Sequence, residues 1–536
     1  MSSQLKKNSS ALFLNCKVWQ QDGSFKESFG INGNRIRFTG SYKDSLKIKD
    51  NYQKVIDLKG KLVLPSFTDG HAHLVYGSLM MNRIDCSGIT SPQMLREAIL
   101  NHTKKFPGKN WLVGGNLNIG ELSKNFTGGS RSVLLLLDAI SEKPLLIFNY
   151  DYHSAICNSS VLEITGLKNR LGEYNENELP RDFEGKPIGI IKEKAMDFVR
   201  SRIPEPALQE KVDAVEKMTG VLHSFGITSV SDITLPANID VYKSLYRQNK
   251  LKLRINSYIP FDEFDNLKKY EEETSEIPKK LFCIKGFKAY YDGALGSETG
   301  LFKLNYKDKD YNGYKTEIAE SGKLLELAEN IDKAGKQIII HAIGDKAVEE
   351  VLDIAEKLSR INSLRDRRLR IEHAQHIDEA DFRRFREFNV IASVQPLHMK
   401  YDIKIVKEKL PAVIVKRTHN YKALMDIGVT VNFGTDFPIV EINPFENIKL
   451  AVTRNTDGKV FLPEYKIDMN NSIKAYTINN AYASFNENTS GTIEPGKYAD
   501  FVIMEDNLFD MPEDEISNAK VKNTYFNGEE VYSLKS

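Results

Sequence analysis

The chain has 536 residues, 41% of them hydrophobic, and carries 74 Lys and Arg against 73 Asp and Glu. That balance leaves no global field to draw it to nucleic acid or to an anionic membrane, and no apolar stretch reaches the ~18 residues that a bilayer span needs. Four scattered cysteines, Cys16, Cys86, Cys157 and Cys283, form neither a CxxC zinc motif nor a disulfide framework, and Ala11-Leu12-Phe13-Leu14 is too short for a signal-peptide core. The expected compartment is therefore the cytoplasm.

In chain order, residues 10–61 read as short strands and turns, with runs at 11–14, 30–34 and 55–58. The apolar run 62–67 then leads into Asp69-Gly70-His71-Ala72-His73. Side chains alternate along an extended chain, so His71 and His73 point the same way, and two imidazoles converging at a strand end make half of a zinc-type site. Residues 74–224 form a long insertion with strand-like runs of their own at 111–115 and 145–150, an expected lid or pocket wall.

Seven further strand-like runs follow, at 226–232, 253–259, 284–290, 337–341, 369–373, 390–394 and 429–434, with helical patterns such as 321–328 and 347–355 between them. Strand and helix in alternation imply a parallel sheet, and eight units suggest an α/β fold of the (β/α)8 TIM barrel type, whose catalytic residues gather at the C-terminal strand ends. Lys288, His341, His373 and Asp436 fall at such ends. From about 491 the short-strand pattern returns, and Asn527-Gly528 is a strong hairpin signal. The expected organisation is a composite β-sandwich of 1–61 and 491–536 around a barrel of 62–490.

In this order, Leu64-Pro65-Ser66-Phe67-Thr68-Asp69-Gly70-His71-Ala72-His73, Asp151-Tyr152-His153-Ser154-Ala155-Ile156-Cys157-Asn158-Ser159, Phe287-Lys288-Ala289-Tyr290-Tyr291-Asp292-Gly293, His341-Ala342-Ile343-Gly344-Asp345, Ile371-Glu372-His373-Ala374-Gln375, Gly434-Thr435-Asp436-Phe437-Pro438 and Gly491-Thr492-Ile493-Glu494-Pro495-Gly496-Lys497-Tyr498-Ala499-Asp500 resemble segments of the amidohydrolase superfamily. The resemblance is narrower still to the metal-dependent hydrolase branch that includes N-substituted formamide deformylase. It implies that His71 and His73 hold one divalent metal, that His341 and His373 hold a second, and that Asp436 touches the first metal and the attacking water. It also implies that Lys288 bridges two ions as a carbamate or, at a mononuclear site, hydrogen-bonds. His153, Asn158, Asp292 and Gln395 are placed toward substrate.

The imidazole-rich set favours zinc, which lowers the pKa of bound water toward about 7. Asp436 would act as base and then acid, while the metal, with His341 or His373, would polarise a carbonyl. The expected reaction is hydrolysis of an amide, N-acyl or N-formyl amine, a C–N bond other than a peptide bond, in a small-molecule substrate, and a homodimer is compatible with this reading. Two alternatives stand beside it: a barrel kept as a non-catalytic scaffold, and a metal enzyme working on another bond type or by isomerisation. His376 and His398 lie near the motifs but away from the expected ligand positions, and His102, His223 and His419 read as surface or packing residues. The chain departs from the pattern at Glu298, where the family commonly carries arginine, and at Gly115-Asn116-Leu117-Asn118, where a Trp-Asp pair is usual. Both changes bear on specificity rather than on the proposed ligands.

Overall fold

The structure is a computed structural model that describes residues 10–124, 132–149 and 154–535. The chain divides into two compact units, residues 1–76 with 215–536 and residues 77–214.

The larger unit is built on eight parallel strands, β1 (Phe67–Ala72), β2 (Ile227–Ile233), β3 (Arg254–Pro260), β4 (Phe282–Tyr290), β5 (Gln337–Ala342), β6 (Arg370–His373), β7 (Ile391–Val394) and β8 (Val431–Phe433), paired in that order. Runs such as Ile338-Ile339-Ile340 are buried on both faces, as a parallel sheet covered by helices requires. The sheet curls until its two edges meet. At the end of β1 and past the end of β8, Ala72 bridges Phe437 in parallel, the Asp436 N–H donates to the His71 carbonyl over 2.7 Å, and the His73 N–H donates to the Phe437 carbonyl over 2.8 Å. The seam needs two glycines. A Cβ on Gly70 would lie 2.6 Å from the Phe433 carbonyl, and one on Gly434 would lie 2.4 Å from the His71 nitrogen. This nearly closed barrel is the TIM-like architecture read from the strand–helix alternation.

The first strand differs from expectation. Leu62–Pro65 is not the start of the barrel but an inner strand of a separate sheet, and β1 begins at Phe67 and carries Asp69, Gly70 and His71 within it. A continuous apolar run reads alike in either sheet, and the chain changes sheet at Ser66, whose N–H donates to the Asp500 carbonyl over 3.2 Å.

Leu62–Pro65 belongs to a six-stranded sheet with Glu529–Ser533, Val521–Phe526, Phe501–Met504, Lys17–Trp19 and Phe25–Lys26. A four-stranded sheet holds Arg35–Gly40, Ser28–Asn32, Ser10–Leu14 and Lys54–Asp57. Phe13, Phe29, Ile31, Val63, Phe501 and Ile503 share one apolar cluster across the two. Asn527 and Gly528 both take positive φ, 52° and 75°, as the two-residue turn between the last two strands demands. Asp500 is structural here: it accepts from Arg254 Nε on β3 over 2.6 Å and from the Asn527 N–H over 2.7 Å, which ties the barrel to this sheet.

The smaller unit has a five-stranded sheet, in the order Ile190–Lys192, Ser154–Cys157, Leu145–Asn149, Leu112–Leu117, Ile84–Asp85. Alternation along Leu145–Asn149 sends Leu145 and Ile147 to one apolar cluster and Leu146 and Phe148 to another, so both faces of the sheet are covered.

Candidate metal centre

Five barrel strands and the seam deliver the polar groups. His71 lies in β1 and His73 just past its end, Lys288 in β4, His341 in β5, His373 at the end of β6, and Asp436 just beyond β8. His373 and Asp436 hold positive φ, 72° and 58°, conformations that cost non-glycine residues free energy and that cluster at functional sites.

One ligand atom each from His71, His73 and Asp436 lies within 4.8 Å of the others, and this is the one such group of three found among the described residues. Asp436 Oδ1 is 3.4 Å from His71 Nε2 and 3.2 Å from His73 Nε2. The His373 ring stands 5.2 Å from that of His71 and 4.5 Å from that of His341, centre to centre. Lys288 Nζ is buried without a hydrogen-bond partner, 4.7 Å over the Tyr290 ring. A buried ammonium with no acceptor, facing imidazoles and carboxylates, is an incomplete arrangement.

The far nitrogen of three of these rings meets an acceptor. His71 Nδ1 bonds to Glu372 Oε2, His373 Nδ1 to Gln395 Oε1 over 2.8 Å, and His341 Nε2 to the Gly293 carbonyl over 3.0 Å. Each bond puts the proton on that nitrogen and leaves a lone pair on the other, the condition for binding a cation. Buried carboxylates hold the loops in register. Asp69 accepts from the N–H groups of His71 and Thr435 and from the Thr435 hydroxyl, and Asp232 accepts from the Leu74 N–H immediately after His73.

Burial and the Lys288 charge pull His71 down to about 4 and His341 to about 3, and burial with His341 keeps His373 well below its usual value, so these imidazoles are neutral at pH 7. Burial opposes ionisation of Asp436, yet the His73 hydrogen bond and the charges of His71 and His373 hold its carboxyl well below the usual range. Glu372 is likewise held low against burial by Arg370 and His71. Burial draws Lys288 down to about 8, against the opposing pull of Glu372 and Asp436. The donor set, neutral imidazoles with an ionised carboxylate, fits a divalent cation of borderline softness.

Three of the residues expected to face substrate make structural hydrogen bonds. Asn158 is fully buried and caps Ser159–Ile164: its Oδ1 accepts from the N–H groups of Leu145 and Val161, and its Nδ2 donates to the carbonyls of Ser141 and Lys143. An asparagine ahead of Ser159-Ser160-Val161 is a helix-start signal that could have been read from sequence. Asp292 accepts from the N–H groups of Leu301, Ile343 and Gly344 over 2.9–3.0 Å; burial raises its pKa to about 7 against those bonds, and the group braces the His341 loop. Gln395 is consumed by His373. His153 lies outside the described residues. Glu298 is compensated by Lys309 and by Lys409, the latter at 3.0 Å, so its reversed sign is neutralised within the chain.

Sequence reasoning passed over Glu372, although it stands inside the Ile371-Glu372-His373 motif, and it left His398 aside. His398 Nε2 is buried without a hydrogen bond, 4.0 Å from Asp436 Oδ2. Its segment follows β7, so the rule that strand ends carry chemistry is the signal that would have found it.

A parallel barrel with imidazoles and a carboxylate gathered at its C-terminal rim is the architecture of a metal-dependent hydrolase. The amidohydrolase family profile matches residues 54–532, and the chain belongs to that family, as its motifs had implied. It is 30% identical over 538 residues to Protein LONG AFTER FAR-RED 3 of Arabidopsis thaliana, covering 97% of this chain and 91% of that one. It is 24% identical to the N-substituted formamide deformylase of Arthrobacter pascens over 93% of each chain. The crystal structure of an uncharacterized metal-dependent hydrolase from Pyrococcus horikoshii OT3 superposes with a TM-score of 0.78 at 25% identity, covering 94% of this chain and 99% of that one.

Proposed function

We propose that the protein hydrolyses a C–N bond other than a peptide bond, in a small amide, N-acyl or N-formyl amine, at a zinc centre held by His71, His73, His341, His373 and Asp436. The observation that carries this reading is the convergence of His71 Nε2, His73 Nε2 and Asp436 Oδ1 beside the unpartnered Lys288 ammonium. When bound, the metal supplies Lewis acidity, making water a hydroxide donor near neutral pH and polarising the scissile carbonyl.

The chain's own residues do the rest. Asp436, ionised at neutral pH, takes a proton from the attacking water as the C–O bond forms. It returns that proton to the amine nitrogen as the C–N bond breaks, so acid and amine leave together. Oδ1 is the oxygen nearest His71 and His73 while Oδ2 lies 4.0 Å from His398 Nε2, which supports Oδ2 as the oxygen that carries the proton. Lys288 suits carbamylation: its amine, when neutral, adds to carbon dioxide and releases one proton, and the new carboxylate replaces an uncompensated cation among the ligands. The deformylase relative favours N-formyl amines as the first substrates to try. The balanced charge and reduced cysteines suit a cytoplasmic enzyme.

The test pairs metal analysis with a panel of N-formyl and N-acyl amines. Stoichiometric zinc and amine release that disappears with chelator are expected. Protein that neither holds nor acquires a transition metal would contradict the reading.

A further inference from the structure

Glu372 stands between a buried arginine and a histidine of the metal centre. It is fully buried in β6, beside Arg370 two residues earlier on the same face. Arg370 Nε donates to Oε1 over 2.8 Å and Nη2 to Oε2 over 3.1 Å, a two-point clamp that fixes the plane of the carboxylate. The guanidinium is itself anchored, with Nη2 donating to the Gly70 carbonyl over 2.6 Å and to Ser393 Oγ over 3.0 Å, and Nη1 to Tyr258 Oη over 3.2 Å. Oε2 then accepts the His71 Nδ1 proton.

Arg370 thus ties β6 to β1, β3 and β7 one layer beneath the rim, and the clamped carboxylate reaches the ring of a residue 301 positions away in sequence. Glu372 is an acceptor that cannot donate, and Arg370 is a donor that cannot accept. Their polarity therefore runs one way through the stack and ends on the Nε2 lone pair of His71. We infer that Arg370 and Glu372 are positioning residues that set the tautomer of His71 and so the metal affinity of the centre. This rests on the reading of His71 as a metal ligand.

Glu372→Gln tests it, because the amide keeps the size of the side chain and, with its oxygen held by Arg370 Nε, turns its NH2 to Nδ1 and reverses the tautomer, whereas no arginine holds the oxygen of Gln395 away from His373. The expected result is zinc affinity, measured by chelator competition on the full-length protein, weakened by about 10–100-fold, with a circular dichroism spectrum like that of wild type. Glu372→Asp, which keeps the acceptor, should restore most of that affinity. Unchanged affinity in Glu372→Gln, or equal loss in both variants, would overturn the inference. Should Glu372→Gln fail to fold, nitrogen NMR of wild-type metal-free protein, with His71→Gln for assignment, decides: a proton on Nδ1 of His71 supports the assignment, and one on Nε2 overturns it. The double change His71→Ala with His73→Ala separates the two levels. Full zinc retention there defeats the underlying reading, whereas zinc lost there but kept in Glu372→Gln defeats only this inference.

Discussion

Two groups of buried histidines sit in the barrel unit and differ in what stands behind their rings. Behind His71, His341 and His373 are a carboxylate, a main-chain carbonyl and an amide oxygen, which only accept. Behind His376 and His419 are hydroxyls, Thr418 Oγ1 at 3.2 Å and Tyr421 Oη at 2.6 Å, which can give or take a proton. His419 faces Asp402 at 3.6 Å, and the His376 ring packs against Phe302. Both groups are neutral and buried, so burial alone does not separate the proposed ligands from packing residues. A fixed lone pair, aimed at other donors, does.

The largest break in the comparison should come from His71→Ala with His73→Ala. Metal affinity is expected to fall more than about 100-fold, beyond what loss of an outer partner costs, whereas His376→Gln with His419→Gln should leave metal content unchanged in the same assay. Equal loss in the two double variants would erase the distinction. Asp436→Asn comes next: turnover on any substrate found should drop by roughly 10²–10⁴ while metal stays bound, and unchanged turnover would remove Asp436 as the proton carrier. Stripping the metal should lower the melting temperature by about 4 °C when the ion is present at about a thousand times its Kd, because the unfolding entropy of a chain this long is large, a shift that His376→Gln retains.

The smallest effect is shared by both groups. His376, pulled down to about 3 by burial and by His419, keeps its proton off in the fold but binds one near pH 6.5 when unfolded. The unfolded state therefore holds more protons between those values, and stability falls as pH drops from about 6.5 toward 3. Urea melts across that window should be less pH-dependent in His376→Gln, by up to about 1.4 kcal/mol per pH unit, and an unaltered slope would mean that His376 is charged in the fold.

How far the sequence reveals this depends on the range over which each feature is encoded. His71 and His73 are legible because strand alternation is local, and seven of the eight barrel strands are legible because buried parallel strands write themselves as apolar runs. The same signal cannot say which sheet takes a run, which is why Leu62–Pro65 was assigned to the barrel. Likeness to a motif points Asn158 toward substrate, whereas the capping pattern in its own neighbours points to the helix start that it caps. Glu372 and Gln395 were illegible in their actual roles because their partners, His71 and His373, are brought to them by barrel closure and not by spacing in the chain.

The most direct test is anomalous diffraction at the zinc edge from crystals of the zinc-loaded protein. The account predicts a peak among His71 Nε2, His73 Nε2 and Asp436 Oδ1. Zinc bound elsewhere, with those three atoms bridged only by water, would contradict it.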